Sequence, residues 1–212
     1  DGSIIWHYDT DEYGDGGWIY EVDAEHDFNN DGIKDILAAS GDDGSDFGPR
    51  RVQLFNGVNG DKLWEHAFYV AMTAVISLDD ITGDSVPDVV CASSPDYTDG
   101  YIYVLDGSTG NIINQFDSIG FFVVGLCTIN DINNDGLMDY AFGSMGEVNI
   151  VTSPADVIAS FETGVVSWNF NLESVMAYNQ KSYILTTTVG EYFPLINATD
   201  GTISWDVTLN GL

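Results

Sequence analysis

The chain has 212 residues, 44% of them hydrophobic and 13% aromatic, which suffices for one domain with a substantial core and is too apolar for a disordered segment. Five Lys and Arg stand against 34 Asp and Glu, a formal charge of −29, so nucleic acid and anionic membranes are poor partners. No run of about 18 apolar residues is present to insert into a bilayer.

In chain order, residues 2–8 read as a lone outer strand, because Gly2-Ser-Ile-Ile-Trp6 has the form of a turn ending in Gly followed by a strand with a large apolar residue. The acidic segments 8–17 and 41–51 read as long loops on one face, either solvated insertions or, with aromatic residues mixed among carboxylates, a surface for sugar or protein. Residues 27–35 then give the first of three related loops, Asp27-Phe-Asn29-Asn-Asp31-Gly32-Ile33-Lys-Asp35. The others are Asp80-Ile-Thr82-Gly-Asp84-Ser85-Val86-Pro-Asp88 and Asp131-Ile-Asn133-Asn-Asp135-Gly136-Leu137-Met-Asp139.

Each loop follows D-x-[DNT]-x-D-[GS]-x-x-D. Side-chain oxygens at loop positions 1, 3, 5 and 9, with the carbonyl of position 7 (Ile33, Val86, Leu137), suit a hard cation that takes six to eight oxygens at about 2.3–2.6 Å. Calcium is the candidate, at about three sites. An EF-hand is excluded because its bidentate Glu at position 12 is replaced by Ala38, Cys91 and Phe142, and a β-rich run follows each loop instead of a helix. The second loop should be the weakest, with Thr82 in place of an amide or carboxylate and Ser85 in place of the Gly that favours a left-handed turn.

The first Asp of the loop recurs at 27, 80 and 131, and a second motif recurs in step with it. This is an apolar strand, a polar turn ending in Gly, and another strand: Val52 to Trp64, Tyr101 to Phe116, and Tyr192 to Trp205. Two motifs interleaved at a period near 50 residues, with about four short strands each, indicate an all-β fold of β-propeller blades. With strands named A to D from the axis outward, the acidic loop is the A–B turn and the Gly-ending segment the C–D turn. About four four-stranded antiparallel blades are expected, over residues 17–66, 71–117, 121–162 and 172–207. The third has a degraded C–D turn at 153–156, and the fourth a bare A–B turn at 178–182 without a carboxylate. The surplus strand at 2–8 implies a larger propeller or an assembly with another segment or copy.

The loops resemble the FG-GAP/VCBS repeats of integrin α-chain propellers and secreted microbial proteins, and the Gly-x-x-x-Trp strands resemble the repeats of PQQ-binding-like propellers. The resemblance implies calcium held by Asp27, Asn29, Asp31 and Asp35, by Asp80, Thr82, Asp84 and Asp88, and by Asp131, Asn133, Asp135 and Asp139. It also implies a secreted or cell-surface protein in adhesion, binding of a protein or glycan ligand, or extracellular assembly by self-association. A calcium-dependent polysaccharide lyase is the enzymatic alternative and a fibre subunit the structural one. No catalytic motif is present, and only Lys34, Arg50, Arg51, Lys62 and Lys181 offer positive charge to an acidic sugar.

Among other residues, Trp6, Trp64 and Trp205 hold repeat-locked positions that suit blade-to-blade packing. His7, His26 and His66 share no repeat position and read as surface or turn residues. Cys91 and Cys127 read as buried free thiols, and Asn197-Ala-Thr199 is a glycosylation sequon in a C–D turn.

Overall fold

The computed structural model describes residues 2–13, 17–42, 48–93, 99–121, 123, 125–144, 147–152, 156–162, 169–177, 181–188 and 192–208. Its secondary structure is entirely β, in four antiparallel four-stranded sheets whose strand order follows the sequence. The first contains β1 (Trp18–Asp23), β2 (Ile36–Gly41), β3 (Arg51–Phe55) and β4 (Lys62–Ala67). The second contains β5 (Met72–Leu78), β6 (Asp88–Ser93), β7 (Asp99–Leu105) and β8 (Ile112–Phe121). The third contains β9 (Gly125–Ile129), β10 (Asp139–Ser144), β11 (Glu147–Thr152) and β12 (Asp156–Glu162). The fourth contains β13 (Asn169–Ala177), β14 (Lys181–Thr188), β15 (Tyr192–Asn197) and β16 (Ile203–Thr208).

The chain divides into two compact units, Asp1–Ser93 with Tyr103–Ile113, and Ser94–Ile102 with Asn114–Leu212. In the first, β5 packs against β1, β2 and β3; in the second, β13 packs against β9 and β10. Every residue of β6 and β10 is buried, and nearly every residue of β2, β3 and β11. Their runs of Val, Ile, Ala and Leu lack polar alternation, the pattern of strands covered on both faces. Among the described residues no helix is long and apolar enough to cross a membrane.

The Gly-ending turn recurs with one geometry. Asn56, Asp106 and Asn197 each donate their N–H across the turn, to the carbonyls of Asp61, Asn111 and Thr202, and accept back from Gly60, Gly110 and Gly201. These glycines have φ of +76°, +71° and +69°, a conformation that costs a Cβ-bearing residue about 1–2 kcal/mol. The side-chain oxygen of the first turn residue accepts from the N–H two residues on, at Val58, Ser108 and Thr199. A register shift follows at Leu54/Phe55 and again at Leu195/Ile196. The turn at 153–155 lies outside the described residues.

Residues 2–9, expected to include an outer strand, belong to none of the four sheets. They form a strap along the first sheet: the Tyr8 ring lies 4.8 Å from that of Phe55, and the Tyr8 hydroxyl accepts from Gln53 Nε2. A strand needs an edge to pair with, and the strap lies over side chains instead. Cys91 and Cys127 are both buried and form no disulfide, and burial pushes the Cys91 thiol up. Asn197 is itself buried, its Oδ1 bound to the Thr199 N–H, which leaves the sequon without an accessible acceptor nitrogen.

Candidate functional site

The three acidic loops fold alike. Residues at loop positions 4 and 6 both take positive φ: Asn30 and Gly32 (61°, 90°), Gly83 and Ser85 (84°, 71°), Asn134 and Gly136 (63°, 94°). These two reversals curl successive N–H groups inward, onto the carboxylate at position 1. Asp27 accepts from Asp31 and Gly32. Asp80 accepts from Gly83, Asp84 and Ser85, and Asp131 from Asn134, Asp135 and Gly136. The Ser85 N–H leads in holding Asp80 below the ordinary carboxylate value.

Position 5 turns its carboxylate onto the N–H of position 7, so Asp31 binds Ile33, Asp84 binds Val86 and Asp135 binds Leu137, each within 2.8–2.9 Å. Position 3 converges on the same place in two of the loops. The Asp31 N–H is shared by Asp27 and Asn29, and the Asp135 N–H by Asp131 and Asn133. In the second loop the Thr82 hydroxyl instead donates to Asp80 Oδ1.

The last carboxylate has another employment. Asp35, Asp88 and Asp139 are buried at the start of β2, or as the first residue of β6 and β10. Each reaches back to N–H groups near the front of its loop: Phe28 and Asn29, Ile81 and Thr82, and Ile132. Asp35 and Asp88 also accept from Gly57 and Gly107 of the neighbouring Gly-ending turn, at 3.0 and 2.9 Å. Burial pushes Asp88 up, against the hydrogen bonds from Gly107, Ile81 and Thr82.

The same glycines receive the tryptophans. Trp6 Nε1 donates to Gly57 O at 3.0 Å, and Trp64 Nε1 donates to Gly107 O at 2.7 Å. A Cβ on Gly60 would stand 2.7 Å from the Trp6 ring, and one on Gly110 2.6 Å from the Trp64 ring. One glycine residue thus links an acidic loop, through its N–H, to a tryptophan of the preceding outer segment, through its C=O. The packing role expected for Trp6 and Trp64 is what these contacts show; the Trp205 side chain lies outside the described residues.

Whether a cation fits the loops turns on charge compensation. Among the described residues, Lys34 pairs with Glu25, Arg50 with Asp42, Arg51 with Glu65, and Lys62 with Glu12 and Glu65. The loop carboxylates described above are held by neutral N–H groups and by the Thr82 hydroxyl, and the donor set is hard oxygen throughout, which suits calcium. No three His, Cys, Asp or Glu side chains converge into a metal cluster among the described residues. A cation would therefore draw on Asn29, Thr82 and Asn133 and on the carbonyls of Ile33, Val86 and Leu137, besides the carboxylates. The bare turn expected at 178–182 falls largely outside the described residues; Ala177 pairs with Lys181 beside it.

No protein-family profile matches the chain. It is similar in structure to BBS1N, solved in complex with ARL6DN, with a TM-score of 0.67 at 12% identity, over 97% of this chain and 61% of that one. It is also similar to Sqt1 of Saccharomyces cerevisiae (0.66, 13%, 89% and 48%) and to the Pan2 WD40 domain of Neurospora crassa (0.65, 9%, 93% and 51%). The fold is a β-propeller. Its sheets are blades, and the chain spans about half to three-fifths of the length of these propeller chains.

Several working residues carried no sequence signal. Glu21 and Asp23 of β1 accept from the backbone N–H groups of Val75 and Ser77 on β5, both at 2.9 Å, which satisfies an otherwise open strand edge. His26, read as an ordinary turn residue, bonds Ser77 Oγ through Nδ1 at 2.7 Å, and its carbonyl accepts the Asp35 N–H. In the second blade the corresponding positions are Ala74 and Ile76 for the two carboxylates and Asp79 for His26. Gly57 and Gly107 were detectable as the Asn-Gly and Asp-Gly steps that close strands β3 and β7.

Proposed function

We propose that the chain is a non-catalytic, calcium-stabilised propeller segment of the FG-GAP/VCBS kind that presents a rigid binding surface outside the cell. The observation that carries this reading is the threefold recurrence of one loop backbone, with two left-handed residues in each copy and a carboxylate at position 1 that gathers the loop's N–H groups. Calcium would supply the missing positive charge. The chain's own residues do the rest: Asp27, Asp80 and Asp131 gather the loop N–H groups, and Asp35 and Asp88 tie each loop to the turn on which a tryptophan rests.

Calcium loops of extracellular modules bind at about 0.1–1 mM, so loops of that affinity fill outside the cell. A protein or glycan partner fits a rigid scaffold with loops at its ends, and the similar propeller BBS1N was solved with a protein partner. The non-catalytic reading is favoured over a lyase by the basic residues: Lys34, Arg50, Arg51 and Lys62 are all engaged by carboxylates of the chain itself. Thermal unfolding of the chelator-stripped chain, with and without 2 mM calcium, tests the proposal. Calcium should raise the midpoint, Asp31→Ala should remove part of that rise, and an unchanged midpoint would refute the reading.

A further inference from the structure

The acidic loops present their carboxylates at three depths. Asp27, Asp80 and Asp131 at position 1 are half-buried, Asp31, Asp84 and Asp135 at position 5 are exposed, and Asp35, Asp88 and Asp139 at position 9 are buried. A cation held by positions 1, 5 and 9 together needs those three carboxylates to converge, and among the described residues they do so in none of the loops. Position 9 is the one set apart.

Its acceptor sites are already occupied. An ionised carboxylate offers about four of them, two on each oxygen. On Asp35, Oδ2 accepts from the N–H groups of Phe28 and Asn29 at 2.9 and 3.2 Å, and Oδ1 accepts from the Gly57 N–H and from Asn29 Nδ2 at 3.0 and 3.2 Å, which fills the set. Asp88 repeats the pattern without the amide, with the N–H groups of Ile81 and Thr82 on Oδ2 and that of Gly107 on Oδ1. Asp27 and Asp31 differ. Each of their oxygens holds one donor: the N–H groups of Asp31 and Gly32 on Asp27, and the Ile33 N–H and the Asn56 amide on Asp31. One acceptor site per oxygen is left for a cation, whereas turning Asp35 toward one would strip the partner from the buried Phe28 N–H.

We propose that Asp35 and Asp88 are positioning residues that fold the first two loops onto the Gly57 and Gly107 turns with or without a metal ion, and that a cation in these loops draws on positions 1, 3, 5 and 7 and on water. This rests on the calcium reading of the loops and changes their donor set: the expected ninth-position ligand is withdrawn. Calcium takes six to eight oxygens, so about two to four would come from water. With two carboxylates in place of three, the ligand charge falls, which sets such a loop toward the weak end of calcium affinities.

Carbon-13 spectra of the aspartate carboxyls, recorded as calcium is added to the chelator-stripped chain, separate the roles. The resonances of Asp27, Asp31, Asp80 and Asp84 should shift to saturation while those of Asp35 and Asp88 stay in place. Asp35→Asn, which sets an amide donor against donors, should lower the urea midpoint in chelator, where loss of a pure ligand would leave it unchanged or raise it by relieving repulsion. The proposal is overturned, with the calcium reading intact, if Asp35 and Asp88 shift along with Asp27 and Asp31, or if Asp35→Asn leaves the chelator midpoint unchanged or higher. If no carboxyl shifts, the calcium reading falls and this proposal falls with it.

Discussion

At the scale of single residues, glycine and serine positions separate backbone strain from steric contact. Ser85 has φ +71° where Gly32 and Gly136 have φ +90° and +94°, and a Cβ at those glycines meets nothing within 4 Å. The cost of Ser85 is thus conformational, and Ser85→Gly should stabilise the calcium-free chain by about 0.5–1 kcal/mol in urea unfolding, the relief of strain less the added freedom of the unfolded chain. The same test run on Gly107 should give the opposite sign and a larger size. A Cβ there would stand 1.7 Å from the Pro87 carbonyl oxygen, so Gly107→Ala should cost about 3 kcal/mol or more, against about 1–2 for Gly83→Ala, which has open space and only an unfavourable φ. A Gly107→Ala loss no larger than that of Gly83→Ala would show that the Asp88–Gly107–Trp64 linkage is slack. The strain at Ser85 was legible in the sequence because two sister loops carry Gly at its position. The contact at Gly107 was not, because it arises where two segments of one blade meet.

At the scale of elements, two devices hold outer segments to the first two blades. One is the indole bond to the turn carbonyl: Trp64→Phe keeps the ring and leaves the Gly107 carbonyl unpaired, which should cost about 1–2 kcal/mol in denaturant unfolding. The other is a charged clasp, in which Lys62 Nζ binds Glu12, Glu65 and the Tyr13 hydroxyl while the Arg51 guanidinium lies 4.1 Å from the Tyr13 ring centroid. Hydrogen bonds from Lys62 and Tyr8 hold Glu12 below its ordinary value of 4.5; Glu65, which burial alone would raise, is brought below 4.5 by Lys62 and Tyr13. Both carboxylates therefore stabilise the fold above pH 4.5 and lose that contribution as pH falls through their lower folded values. Lys62 is raised despite its burial, by Glu12, Glu65 and Tyr13, so its contribution is complete below 10.5 and is lost only as pH rises through its higher folded value. Hydrogen exchange at residues 9–13 should accordingly be slow at neutral pH and speed up below about pH 4.5, beyond the intrinsic pH dependence, and Lys62→Met should abolish that acid transition. A strap equally protected at pH 3 would contradict the clasp. The turns that end in Gly60, Gly110 and Gly201 could be read from sequence because each turn is local; the clasp joins residues about 50 apart and has no repeat to announce it.

At the scale of the whole molecule, the period of the acidic loops carried the fold, since one loop and one Gly-ending turn per 50 residues leave room for four strands and little else. What the period could not convey is how one sheet meets the next. The carboxylates of Glu21 and Asp23 meet the β5 edge, and residues 2–8 look like a strand by composition while joining none of the four sheets. Three loops of one backbone are also what makes the account testable as a whole, because each should take one calcium independently. At a dissociation constant of about 0.1 mM and about 2 mM free calcium, each site would add roughly 1.8 kcal/mol to stability. The most direct measurement is calorimetric titration of calcium into the chelator-stripped chain: the account predicts three sites per chain with the second loop weakest, and a titration without saturable heat up to several millimolar calcium would contradict it.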